Sequence, residues 1–193
     1  LPRAALIGSL RETIRKIERA APLTESRARP SAGWRLGCAE ADRLLPEGLE
    51  TDSLHEVKAD TSASGAIAGA WMASLGFALR LAVRRVAQVS HGNEAPRDAP
   101  WILWCWPRVL ANELGRPSHM GLLRLGLDPS RILFVETLRA AEVLVALEEG
   151  LKSGSLALAI GVFHELDLTP ARRLSLAAGE KSTPCLAITH PAS

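Results

Sequence analysis

Tyrosine is absent from this sequence, aromatic residues make up only 4% of it, and cysteine is rare. The 3 cysteines, Cys38, Cys105 and Cys185, lie far apart and form no CxxC pair. That distribution argues against a disulfide framework and against a zinc site, and it is typical of a reducing compartment. We therefore predict that each cysteine is a small buried side chain.

Long apolar runs and an excess of one charge are missing as well. No stretch reaches the roughly 18 consecutive apolar residues that a membrane-spanning helix needs, and the first residues lack the long apolar region of a secretion signal. We expect a cytoplasmic protein with no membrane contact. The net charge is +2, so the composition gives no strong signal for a polyanionic partner.

What is present suits one domain with an added arm. The chain has 193 residues, of which 47% are hydrophobic, enough for a sizeable core. Residues 4–20 form a candidate amphipathic helix, and a linker rich in Pro, Ser, Thr and Arg follows over 21–32. We predict an N-terminal helix and linker over 1–32 and a core over 33–193.

The apolar face of the 4–20 helix recurs at steps of three and four residues, as on one side of a helix. Two interpretations stay open: the helix is a piece of the core, or it is an arm that docks on a partner. The residues of that face, our candidate docking residues, are Ile7, Leu10, Ile14 and Ile17.

The core alternates predicted strands and helices, which is typical of an α/β fold with a mostly parallel sheet covered on both sides. Strands are predicted over 53–57, 101–106, 131–136, 156–163 and 184–190. Helices are predicted around 39–45, over 66–88, over 108–125 with an interruption at Pro117, over 138–151 with Gly154 ending that unit, and over 170–178 capped by Thr169. The stretch 90–100 is predicted to be an exposed loop.

The strand, polar turn and helix over 53–88 form the kind of unit that holds phosphate in P-loop proteins. This unit lacks the G-x-x-x-x-G-K-[ST] pattern, because Ala66 and Ile67 follow its only loop glycine. It is either an ordinary strand-turn-helix or a nucleotide loop that has lost its chemistry. The residues of this vestigial nucleotide loop are Lys58, Asp60, Thr61, Ser62, Ser64 and Gly65.

Hydrolysis of a nucleotide also needs a metal-binding acid and a carboxylate that orients water, both at the ends of strands. The apolar strands 101–106 and 156–163 end without Asp or Glu. Three independent requirements therefore fail together, and we predict no catalytic residues, no cofactor and no metal. The cluster His164, Glu165 and Asp167 is read as an ordinary loop.

The run Trp101–Trp106 is predicted to be a strand buried on both faces. Period two places Ile102, Trp104 and Trp106 on one face and Trp101, Leu103 and Cys105 on the other. Stacking of nucleic-acid bases on this tryptophan cluster is the alternative, but no Arg or Lys is interleaved with it. A weak contact with single-stranded DNA stays open for four basic residues, Arg27, Arg29, Arg172 and Arg173.

Several segments resemble known families. The stretch LGCAEADRLLPEGL (36–49) resembles the segment before the first core strand of RecA-like recombinases, and residues 58–65 stand at the position of their phosphate loop. LDPSRILFV (127–135), ALEEGL (146–151) and LDLTPARRL (166–174), in this order, resemble the ImuA family of damage-inducible mutagenesis proteins. Where RecA has its Lys, Thr and Asp, this chain has Ala66, Ile67 and Val162.

The resemblance implies a RecA-like, mostly parallel sheet flanked by helices, with an N-terminal helical arm. It implies a non-catalytic accessory protein of SOS-induced mutagenic translesion synthesis, which docks on RecA, on the complex of ImuB with the error-prone polymerase, or on both. Self-association stays open. The alternatives are a weak ATPase that uses Lys58, and an accessory factor that binds single-stranded DNA.

Overall fold

The computed structural model describes residues 33–58, 67–90 and 100–189. The chain divides into two units, Leu1–Ala32 and Gly33–Ser193, and every described residue belongs to the second. The predicted helix over 4–20, the linker over 21–32 and most of the predicted loop over 90–100 lie outside the described residues.

The described strands form one sheet of five strands. They are β1 (Leu54–Lys58), β2 (Trp101–Pro107), β3 (Ile132–Thr137), β4 (Leu156–Phe163) and β5 (Cys185–Thr189). Their order across the sheet is β1-β5-β4-β2-β3, and all four pairings are parallel. The predicted parallel α/β sheet is confirmed, and the strands lie close to their predicted bounds.

Six α-helices connect or flank these strands in the described part of the chain. They are α1 (Ala39–Leu44), α2 (Ile67–Ser90), α3 (Arg108–Leu114), α4 (His119–Leu125), α5 (Ala140–Ser153) and α6 (Leu168–Glu180). A short 3-10 turn, Pro129–Arg131, leads into β3. None of these helices is long and apolar enough to cross a membrane.

The helices cover both faces of the sheet, as predicted. Buried side chains of α2, α3 and α4 share one apolar cluster with one face, and those of α5 and α6 share a second cluster with the other. The connections through α2, α3 and α4, on the first face, run toward the β3 side of the sheet. The connections through α5 and α6, on the second face, run back toward the β1 side. All crossovers therefore have the same hand, as the twist of parallel strands requires.

Strand β2 shows how the sequence divides the core. Ile102, Trp104 and Trp106 belong to the cluster under α2 to α4, whereas Leu103 and Cys105 belong to the cluster under α5 and α6. The predicted two-face alternation is thus confirmed. Trp101 departs from the prediction of full burial: its side chain is 39% exposed.

The opening segment before β1 is fixed to the core by Trp34, which lies within α2's cluster. Its backbone bridges to Leu49, and its indole nitrogen donates a hydrogen bond of 3.1 Å to the carbonyl oxygen of Leu81. Gly48 allows the turn before this bridge because its φ of +75° is strained for any side chain, and a Cβ there would lie 2.8 Å from the Trp34 carbonyl carbon.

Two local predictions were wrong. Cys38 is exposed at the start of α1, whereas Cys105 and Cys185 are buried as predicted. Burial raises the pKa of the Cys105 thiol to about 12 and also raises the pKa of Cys185.

Thr169 does not cap the last helix: α6 begins at Leu168 and Asp167 is its N-cap residue, so Thr169 lies inside the first turn.

Candidate functional site

The carboxyl ends of the five parallel strands lie along one edge of the sheet, and ligands of open α/β sheets bind there. The connection after β2 leads to β3 on one side, and the connection after β4 leads to β5 on the other side, so the two connections run in opposite directions across the sheet. The point where the direction changes, between β2 and β4, is the usual position of a binding crevice. This carboxyl edge is therefore the candidate site.

At the β1 end of this edge stands Lys58, the first residue of the predicted nucleotide loop and an exposed one. Beside it, the hydroxyl of Thr189 at the end of β5 donates a hydrogen bond of 2.7 Å to Glu56. The other residues of the predicted loop, namely Asp60, Thr61, Ser62, Ser64 and Gly65, lie outside the described residues. The loop as a phosphate site therefore stays a prediction.

The centre of the edge, where β2 and β4 end, is apolar. Trp106, Val162 and Phe163 are each at most 4% exposed. Trp104 and Trp106 pack edge to face, with ring centroids 5.8 Å apart and planes at 67°. Their indole nitrogens are buried without a hydrogen-bond acceptor in the part of the chain that the structure describes. These two rings fill the core, as predicted, and their burial does not suit stacking on bases.

The first polar side chains beyond β4 are His164 and Glu165, both exposed. Within residues 33–58, 67–90 and 100–189, no group of three or more His, Cys, Asp or Glu side chains could hold a metal ion. The cluster of His164, Glu165 and Asp167 that the sequence suggests is therefore not assembled as a metal site.

At the β3 end of the edge, Arg116 and Glu136 form a bidentate ion pair. The guanidinium Nε donates to one carboxylate oxygen of Glu136, and a terminal nitrogen donates to the other at 2.9 Å. A further hydrogen bond of 3.1 Å joins Arg116 to Asn112. Two parallel bonds between planar groups hold both side chains in one orientation. Sequence reasoning missed this pair because its members are 20 residues apart.

The ion pair leads to a prediction about pH. Its hydrogen bond, aided by the charges of Arg116 and Arg108, lowers the pKa of the Glu136 carboxyl below the ordinary value. We expect replacement of Arg116 by Gln to raise the Glu136 pKa back toward that value, as measured by carbon-13 NMR titration. Because the folded pKa is the lower one, the pair stabilises the fold above the unfolded pKa, and the contribution is lost as pH falls through the folded pKa.

The matched control for that titration is Arg124→Gln, which removes an exposed arginine of α4. This variant should leave the Glu136 pKa as it is in the parent chain. An unchanged Glu136 pKa in Arg116→Gln would show that the ion pair does not persist in solution. Both side chains are partly exposed, 47% for Arg116 and 27% for Glu136, so only a small change in stability is expected.

The predicted basic residues are divided between two parts of the chain. Arg172 and Arg173 are exposed on α6, but Arg173 donates a hydrogen bond of 2.8 Å to Glu148 of α5. A phosphate contact by Arg173 would have to break this pair. Arg27 and Arg29, like the docking residues Ile7, Leu10, Ile14 and Ile17, lie outside the described residues. A common site for the four arginines therefore stays a prediction.

Comparisons with known proteins add a likeness in fold only. Neither protein-family models nor curated protein sequences give a match to this chain. Among solved structures, the chain is similar to SulA from Pseudomonas aeruginosa, with 19% identity, a TM-score of 0.48, and coverage of 70% of this chain and 96% of that one. A likeness of this size leaves the function of this chain open.

Proposed function

We propose that this chain is a non-catalytic accessory protein with a RecA-like core, which acts in SOS-induced mutagenic translesion synthesis. It would dock on RecA, on the complex of ImuB with the error-prone polymerase, or on both. Because we propose no enzyme activity, the function depends on the surfaces with which the chain contacts other proteins. The proposal rests on the ordered resemblance of three segments to the ImuA family and on one observation at the carboxyl edge.

That observation is the composition of the carboxyl edge. The strand β1 is followed along the chain by α2, which is the order of elements in nucleotide-binding sheets, but Ala66 and Ile67 follow Gly65 in the sequence. At the centre of the edge, β2 ends in Trp106 and Pro107 and β4 ends in Phe163, all buried, rather than in a metal-binding acid. A site of this composition offers little to a triphosphate with its magnesium ion, which favours a binding role over hydrolysis.

The order of the strands sets this core apart from two common α/β folds. The order β3-β2-β4-β5-β1 differs from the two common doubly wound orders, 3-2-1-4-5-6 and 2-1-3-4-5. In the sequence, the three ImuA-like segments fall on the turn and strand at β3, on the second half of α5, and on the first half of α6 with the two residues before it. They thus belong to structured parts of one core rather than to loops.

The experiment has two arms on the full chain. The first measures ATP·Mg²⁺ binding by calorimetry and ATP turnover, with Lys58→Ala, which removes the cation at the end of β1, as the control. We expect no binding heat and no turnover above that control. Turnover that Lys58→Ala abolishes would replace our proposal with the unorthodox ATPase.

The second arm measures capture of RecA and of ImuB in a pull-down. We expect the parent chain to capture at least one of them and the double variant Ile14→Asp/Ile17→Asp to lose it. The matched control adds the same two carboxylates to exposed positions of α6, Leu168→Asp/Leu176→Asp, where the side chains are 85% and 64% exposed. Failure of the parent chain to capture either protein would refute the docking function, and equal capture by both double variants would refute the role of the arm.

A further inference from the structure

The outer face of α2 is apolar over its first half, whereas the solvent-facing side of a surface helix is normally polar. Between Gly69 and Leu79, the only charged, hydroxyl or amide side chain is that of Ser74, and it is 3% exposed. This half of α2 is therefore apolar on both its sides, and a helix that is apolar all round is usually covered all round. The exposed residues of this stretch are Gly69, Met72, Ala73, Gly76 and Phe77.

This outer face is open in the part of the chain that the structure describes. Met72 is 60% exposed and Phe77 is 45% exposed, and a Cβ built on Gly69 or Gly76 meets nothing within 4 Å. At 100° per residue, Met72 and Phe77 stand on either side of the low strip that the smaller residues form. Large apolar side chains exposed together in this way mark an interaction site.

The charges of α2 all have one sign. The helix, Ile67–Ser90, contains no Asp or Glu, and Arg80 and Arg84 continue its outer face beyond Phe77. Neither arginine has an ion-pair or hydrogen-bond partner among the described residues. The outer face thus has an apolar half and a cationic half, and a carboxylate is the complement of the second.

The nearest acid on the page does not neutralise these arginines. The guanidinium of Arg84 lies against Gly37, in the opening segment that also contains Asp42. The two carboxylate oxygens of Asp42 accept hydrogen bonds of 2.9 and 3.2 Å from the backbone N–H groups of Leu36 and Gly37. Arg80 and Arg84 therefore remain available to an anionic group from outside.

We propose that the outer face of α2 binds an acidic amphipathic helix of a partner protein. The apolar stripe of that helix would lie in the strip between Met72 and Phe77, where small residues let two helices approach closely. Its carboxylates would meet Arg80 and Arg84 in charge-assisted hydrogen bonds, which fix the direction of the docked helix. The inference rests on the proposed function and deepens it, because it gives the docking of a partner a surface on the described core.

The same features select this occupant over two others. A second copy would present the same face, and since α2 carries no carboxylate, the helix pair would leave the arginines of both copies unpaired. A lipid surface is held by large apolar side chains that enter the acyl boundary. Gly69, Ala73 and Gly76 supply little apolar area for that purpose, because area buried scales with side-chain size.

The test measures binding of two fluorescein-labelled peptides to the full chain by fluorescence anisotropy. Both are alanine-based helices of about 16 residues, which matches the ~24 Å from Gly69 to Arg84, and both carry leucines at steps of three and four. One has glutamates in its first turn, where the helix dipole favours them, so that it runs antiparallel to α2. The other has lysines in their place. We expect the parent chain to bind the glutamate peptide at least about tenfold more tightly.

Two variants examine the two halves of the face separately. Met72→Asp places a charge in the apolar contact and should weaken binding of the glutamate peptide at least about tenfold. Arg80→Glu/Arg84→Glu reverses the charge of the other half and should reverse the preference, so that the lysine peptide binds more tightly. The matched control is Leu176→Asp on α6, where the leucine is 64% exposed. It should bind as the parent does, and circular dichroism should show that all variants are folded.

A parent chain that does not bind the glutamate peptide overturns the proposal. So do equal losses in Met72→Asp and Leu176→Asp, and a preference that the double arginine variant does not reverse. Sedimentation equilibrium and flotation with anionic vesicles test the other occupants: a dimer or a vesicle complex that Met72→Asp dissociates would assign the face to a second copy or to lipid instead. The peptides take the place of RecA and ImuB, so this result is separate from that of the pull-down.

Discussion

Replacing Trp34 by alanine should lower the free energy of unfolding by about 3 to 5 kcal/mol, the range for truncating a large buried aromatic ring. The Trp34 side chain is 1% exposed. The substitution also removes the hydrogen bond from the Trp34 indole to the Leu81 carbonyl and the edge-to-face contact with His55, whose ring centroid lies 6.3 Å away. Urea unfolding followed by circular dichroism measures the change.

The sequence offers a matched control for this truncation in Trp101, which is 39% exposed and has the Arg131 guanidinium 5.2 Å above its ring. Trp101→Ala should cost much less, about 1 kcal/mol for the lost cation–π contact and partial burial. Equal losses at the two tryptophans would mean that the opening segment is not packed on α2 as described here. Trp34→Phe should fall between the two, since it keeps most of the ring and loses the indole donor.

The second large effect is expected at Leu147, on the face of α5 that meets the sheet. Leu147 is completely buried, and Leu147→Ala should cost about 2 to 5 kcal/mol through lost transfer energy and the cavity left behind. The control on the same helix is Val145→Ala, an exposed position that should stay within about 0.5 kcal/mol of the parent. Thermal or urea unfolding of both variants decides the outcome, and similar stabilities would contradict the packing of α5.

Gly161 of β4, which lies against Leu147, allows a second test of the same packing. A Cβ on Gly161 of β4 would lie 2.6 Å from Leu147 Cδ1 and 2.6 Å from Phe163 Cε2, so Gly161→Ala alone overpacks the site. In the Leu147→Ala background, the added methyl group enters part of the new cavity. The double variant should therefore be less destabilised than the sum of the single variants. Strict additivity would show that the two residues do not share this space.

The elements of the core were largely predictable because their signals are local. The run Leu156–Phe163 is continuously apolar over the length of a strand, and its predicted bounds are those of β4. Gly154, with φ of +69°, ends α5 in the left-handed conformation that glycine adopts most easily. The wrong cap at Thr169 shows the limit of such signals, since Asp167 and Thr169 are both acceptable cap residues and helix bounds shift easily by two positions.

Much less of the candidate site could be predicted. Lys58 was expected at the carboxyl edge because it follows a predicted strand, and it lies at the end of β1. The ion pair of Arg116 and Glu136 was not expected, because neither residue carries a local signal and the pairing depends on how α3 and β3 meet. The exposure of Cys38 likewise followed from its position in the fold rather than from its residue type, which predicted burial.

The sequence by itself determined the class of this protein: alternating apolar strands and amphipathic helices can bury their apolar sides only as a parallel sheet covered on both faces. It also predicts a nucleotide loop without its chemistry, because Ala66 and Ile67 follow Gly65 where the motif has Lys and then Ser or Thr. The order of the strands was decided only by the tertiary structure, and with it which two strands, β1 and β3, became the edges. The physical reason is that β2 and β3 are both apolar and differ little in local pattern, so only the packing of α5 and α6 over one face decides that β4 inserts beside β2 and leaves β3 outermost.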